Sequence, residues 1–145
     1  MLEILLSMSK DRPGLFIALI GMFFMALLWV FFISHYIYTN IYIKKICKIV
    51  YKDEKRFKRL MEPFDFFYLS MLPSAYWKET LNIKFDTSFK AFYGNNVYHK
   101  IDDSQLKELL KNHPMFFCLH YFFMLSGLLS MSLLFLGYSI EHFFK

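Results

Sequence analysis

Three side chains able to bind a metal or carry a proton are expected at one depth: His35 in the first of two long uncharged stretches, Cys118 and His120 in the second. Imidazole and thiolate suit zinc, copper or haem iron, and a pair of imidazoles can relay a proton. If the stretches form antiparallel helices, His35 lies about four residues from the exit of the first near Thr39, level with Cys118 and His120. At a rise of about 1.5 Å per residue, all three then sit roughly 6–9 Å inside the boundary. Ionisable groups at such depth usually face protein or water. Two points weigh against a ligand set. C-x-H lacks the i,i+4 facing of two ligands on one helix, and a neutral His near an interface can serve as an amphipathic anchor, as Tyr does. The expectation is no metal and no cofactor, with His35, Cys118 and His120 kept as the candidates.

No other chemistry is spelled out. The chain lacks a Gly-rich phosphate loop, a dinucleotide fingerprint, H-E-x-x-H, paired C-x-x-C and a G-x-S-x-G elbow. Asp102-Asp103 is an acidic pair better explained as a helix cap than as an acid/base couple. The chain is expected not to be an enzyme.

The positioning elements are announced by composition. Of 145 residues 57% are hydrophobic and 21% aromatic, and the apolar ones are pooled rather than spaced for a soluble core. Leu15–Ile43 and Asn112–Ile140 contain no Asp, Glu, Lys or Arg. About 20 apolar residues cross a bilayer core about 30 Å thick, and lipid leaves a lone segment no alternative to a helix. The first stretch is too long for the apolar part of a signal peptide and reads as an uncleaved anchor.

Charge then gives direction. Eight basic residues, Lys44, Lys45, Lys48, Lys52, Lys55, Arg56, Lys58 and Arg59, follow the first stretch directly. By the positive-inside rule they belong on the cytoplasmic side, near anionic head groups. The expected organisation is an extracytoplasmic segment 1–13, a membrane helix 14–43, a basic and aromatic helical cytoplasmic domain 44–113, a membrane helix 114–138 and an extracytoplasmic tail 139–145. The fold class is all-α, a two-span transmembrane hairpin with a small helical domain between the spans, in a bacterial inner membrane. Tyr36, Tyr38, Tyr42 and Tyr121 suit an inner aromatic belt, and Trp29 lies deep enough to be packed. Cys47 and Cys118 face a reducing side and are expected as free thiols.

Within 44–113, a basic stalk is expected to prolong the first helix through Ile46, Ile49, Val50, Phe57, Leu60 and Met61. Pro63 and Pro73 bracket a short apolar helix in which Phe64, Phe67, Tyr68 and Leu72 share a face. A helix from about Ala75 to Tyr93 carries Leu81, Phe85, Phe89 and Phe92 at helical spacing. Phe85, Phe89 and Phe92 form a stripe suited to docking on a membrane or a protein. A third helix, SQLKELLKN, is capped by Asp102 or Asp103 and buries Leu106, Leu109 and Leu110, and Pro114 opens the next helix. Residues 60–113 carry six basic and seven acidic side chains, a balance that argues against nucleic acid.

In the second stretch Ser126, Gly127 and Ser130 offer a small-residue packing surface, and Gly14, Ala18 and Gly21 do so less regularly in the first. The counterpart can be the same chain, a copy or a protein partner. A permeabilising oligomer similar in plan to two-helix holins is the alternative. It needs a polar stripe in each span, for which the second supplies Ser126, Ser130, Ser132 and His120 and the first almost nothing.

Leu60-Met61-Glu62-Pro63, Phe89 to Gly94, Tyr98, Asp102-Asp103, Leu106, Leu109-Leu110 and Phe116-Phe117 occur in an order that resembles the universal stress protein B family of small bacterial inner-membrane proteins. The resemblance covers nearly the whole chain and implies a two-pass protein linked to stationary-phase stress, with no defined catalytic activity. Asn112-His113-Pro114 stands where such proteins tend to have a basic residue, and the loop here is longer.

Overall fold

The computed structural model describes residues 10–86 and 101–143. All regular structure among them is α-helical. Helix α1 is Pro13–Tyr51, α2 Pro63–Ser70, α3 Leu72–Ala75, α4 Trp77–Phe85, α5 Asp103–Asn112 and α6 Pro114–Phe143. Helices α1 and α6 are each long and apolar enough to cross a membrane. The chain forms two compact units, one taking the parts of α1 up to Ile33 and of α6 from Tyr121, the other Ser34–His120.

The first unit is a pair of helix segments brought together by small residues. A Cβ added at Gly14 would lie 2.6 Å from the Gly137 carbonyl oxygen, and one at Gly137 would lie 2.6 Å from that of Gly14. Only hydrogen in place of a side chain permits backbones this close. Phe31 stacks on Phe122 at 5.3 Å, and Phe32 tilts against Phe123 at 5.6 Å. Phe23, Met131 and Phe135 point outward. Trp29, expected to be packed, is 58% exposed with its edge on Phe32. Depth along a helix does not fix its facing, and Trp29 falls on the outer one.

The second unit wraps its core around the end of α1. Ile46, Cys47 and Val50 of α1 are buried with Phe66 and Leu69 of α2, Leu72 of α3, Leu106 and Leu109 of α5, and Phe116 and Phe117 of α6. This unit therefore reaches beyond residues 44–113, taking in Ser34–Ile43 and Pro114–His120. The stalk stops earlier than its apolar spacing suggests. Helix α1 ends at Tyr51, Lys52 turns left-handed with φ 57°, and Asp53 Oδ1 accepts the Lys55 N–H at 2.9 Å. A side chain that satisfies a neighbouring amide offers the backbone an alternative to the helix.

The Pro-bracketed segment also differs from expectation. Pro63 occupies the first turn of α2, where its missing N–H is not needed. Phe64, Phe67 and Tyr68 share an exposed face, while Leu72 is buried with Phe66 and Leu69. Met71 interrupts the helix and α3 restarts with Pro73 in its first turn. A proline there cannot donate to the carbonyl a turn earlier, which favours the break seen at this point. Helix α4 closes at Phe85 with Asp86 left-handed, φ 50°, and the rest of the stretch expected to reach Tyr93 lies outside the described residues.

Local signals are largely obeyed at α5, although Leu110, expected on the buried face, is only half-buried. Asp102 is its N-cap, the Asp102 N–H donates to Gln105 Oε1 at 3.0 Å, and Leu106 and Leu109 are buried. Gln105 does more than box the cap: its Nε2 donates to the Ile49 carbonyl at 2.6 Å. That carbonyl is in the last turn of α1 and has no partner within the helix.

Candidate functional site

Of the three potential ligands, two meet. His35 and His120 are both buried, and their rings approach edge to face with centroids 5.7 Å apart. Phe66 at 5.5 Å and Phe116 at 5.1 Å also abut the His35 ring. His120 Nε2 shares a 2.6 Å hydrogen bond with Ser74 Oγ of α3. Cys118 is exposed, two residues and roughly 200° around α6 from His120, so the thiol does not join the imidazoles. Among the described residues no group of three or more His, Cys, Asp or Glu is arranged to hold a metal. His35 Nε2 and Thr39 Oγ1 are buried without a hydrogen-bond partner among the described residues. The geometry is that of a polar inclusion in an aromatic core.

A second polar group closes the loop between α1 and α2. Asn40 Oδ1 accepts the Met61 N–H at 2.8 Å, and Tyr36 Oη donates to the Met61 carbonyl at 3.2 Å. Asn40 Nδ2 donates to the Tyr36 carbonyl at 2.9 Å, so both ends of its amide are used. Asn40 and Tyr36 thus satisfy both peptide groups of a buried residue, which an apolar core could not leave bare. Sequence reasoning missed Asn40. Its one visible signal was an amide within an otherwise apolar stretch.

The third feature is an open cavity of about 550 Å³ between the end of α1 and the α5–α6 junction. Tyr38, Tyr42, Lys45 and Lys48 line it from α1, with Glu108 and His113 opposite. Tyr38 Oη and His113 Nδ1 are hydrogen-bonded at 3.2 Å, and the Tyr42 ring lies 5.3 Å from the imidazole. Burial, reinforced by the Lys45 charge, holds His113 below the usual histidine pKa, which favours neutral imidazole. Lys48 makes a 2.8 Å ion pair with Glu54 on the surface. Lys45 has no ion pair among the described residues, and its ammonium lies 5.9 Å from the Tyr42 ring centre. Tyr36 and Tyr38 thus both make hydrogen bonds within this unit.

The remaining sites are dispersed. Lys44, Lys52, Lys55, Arg56, Lys58 and Arg59 are exposed, as are Lys45 and Lys48. Ser126 and Ser130 are buried, and a Cβ on Gly127 would meet Leu28 Cδ1 at 3.1 Å. Gly137, absent from the expected packing surface, makes the tighter approach. Phe85 is 62% exposed, while Phe89 and Phe92 lie outside the described residues. Compared with protein families, curated proteins and solved structures, the chain matches none.

Proposed function

We propose that the chain is a two-pass protein of a bacterial inner membrane whose middle segment is cytoplasmic and serves as a non-enzymatic interaction module. The observation that carries this reading is the exposure of the apolar helices. Only 6% of the most apolar window of α1, and 17% of that of α6, is buried within the chain. The core helix of a soluble protein hides such a surface, and a monomer in water rarely exposes apolar patches beyond a few hundred Å². Lipid covers it without a partner.

The direction of insertion rests on the eight exposed basic residues from Lys44 to Arg59. Phe64, Phe67 and Phe85 of the middle segment are also exposed, and they offer contacts to a protein partner or a second copy. Kinship with the universal stress protein B family, proposed on the residues that carry the resemblance, makes stationary phase the growth stage in which to seek that partner. The pore alternative is weakened because three of its four polar side chains in the second span, His120, Ser126 and Ser130, are buried within the chain and so are withheld from a lumen, leaving Ser132 exposed.

Limited trypsin treatment provides the test. The irregular Lys52–Arg59 segment should be cut in inverted membrane vesicles and protected in intact spheroplasts. Cleavage from the spheroplast side, or recovery of the chain in solution without detergent, would overturn the proposal.

A further inference from the structure

We infer that the cavity between α1 and α5 is a binding site for the phosphodiester headgroup of a membrane glycerophospholipid. The inference rests on the membrane reading above and names the lipid contact within it. The α1 wall of the cavity changes chemistry along its length, from Tyr38 and Tyr42 to Lys45 and Lys48. The uncharged stretch ends at Ile43. With the boundary between Thr39 and Ile43, helical rise puts Lys45 about 3–9 Å and Lys48 about 7–14 Å beyond it, Tyr42 about level with it and Tyr38 up to about 7–8 Å inside. The polar layer on each side of a bilayer is about 5–7 Å thick. The Lys45 ammonium, which its flexible stem can carry back toward the apolar side, therefore falls at phosphate depth, and the Tyr42 ring falls at the boundary where tyrosine is favoured.

Charge also selects the occupant. Lys48 is engaged by Glu54, leaving Lys45 as the cation available to a phosphate, while Glu108 places a carboxylate across the cavity. One phosphodiester charge beside Lys45, followed by a hydrogen-bond donor reaching Glu108, matches this arrangement. Phosphatidylethanolamine supplies an ammonium and phosphatidylglycerol supplies hydroxyls. Phosphatidylcholine has no N–H or O–H to donate. The volume, about 550 Å³, lies within the range of small-ligand sites.

The full chain, purified in detergent and stripped of lipid, would be titrated with each phospholipid and read by native mass spectrometry. Phosphatidylethanolamine and phosphatidylglycerol should form one-to-one adducts in preference to phosphatidylcholine. Lys45→Gln should weaken them about fivefold, the effect of one surface charge of about 1 kcal/mol. Lys44→Gln, a neighbouring exposed charge outside the cavity, should leave them unchanged, and Lys45→Arg should retain them. Inorganic phosphate at equal concentration should not compete. Equal loss in the Lys44 and Lys45 variants would mean diffuse attraction and overturn the site, as would competition by phosphate, which would indicate a soluble anion. Neither result alters the protease protection pattern, so failure of the site is distinguishable from failure of the membrane reading.

Discussion

Cys47 shows how one buried side chain reports on the second unit. Its thiol has no exposure, and desolvation pushes its pKa up to about 11. Thiolate is the reactive form, so burial makes it scarcer than for an ordinary thiol. In a Cys118→Ser background, maleimide should add to Cys47 only after denaturation, as seen by the mass increment before and after unfolding. Rapid modification of the native protein would show that the core around α1 is open. The sequence marked both cysteines as unpaired, which they are, but it could not tell their environments apart. Residues one turn from the charged Lys44, Lys45 and Lys48 carry no local sign of which face the rest of the chain will cover.

At the scale of elements, α5 was largely legible and the end of α1 was not. Asp102, Leu106 and Leu109 act within their own helix, where spacing is a physical constraint. Gln105 acts twice, in the N-terminal box of α5 and on the Ile49 carbonyl of α1, and the second contact joins positions 56 apart in the chain. Gln105→Ala should therefore cost about 1–2 kcal/mol, more than an exposed helical glutamine. The shift in the denaturation midpoint in micelles would measure it, and a loss of a few tenths would refute the double role. The Met61 clamp was illegible for a related reason. A polar residue in an apolar run announces a partner without saying which, so the roles of Asn40 and Tyr36 emerge only when α2 is in place. The stop at Lys52 was hidden because apolar spacing continues to Met61, whereas backbone geometry does not.

Across the whole molecule, the two apolar stretches were plain from composition, while Gly137 at their closest approach was not singled out. Ser126, Gly127 and Ser130 have small-residue spacing, but the closest approach pairs Gly14, one of the small residues expected on the first helix, with Gly137, which lies outside the spacing expected on the second. Gly137→Val should destabilise the first unit by roughly 1–3 kcal/mol, since the obstructing atom is backbone and cannot swing aside. Gly127→Ala should be nearly neutral, because the end of the Leu28 side chain can move. Thermal melts of both variants in the same detergent give the comparison, and equal melts would exclude the backbone crossing.

The opening turns of α6 supply Phe116, Phe117 and His120 to the same core that α1 enters with His35 and Ile46. Excising residues 44–113 as a separate fragment thus removes part of the interior along with the anchors, leaving a sticky remnant instead of a miniature protein. During synthesis the middle segment must wait for the final third of the polypeptide before it can close, and a nascent chain halted near Asn112 would be a natural target for proteolytic clearance.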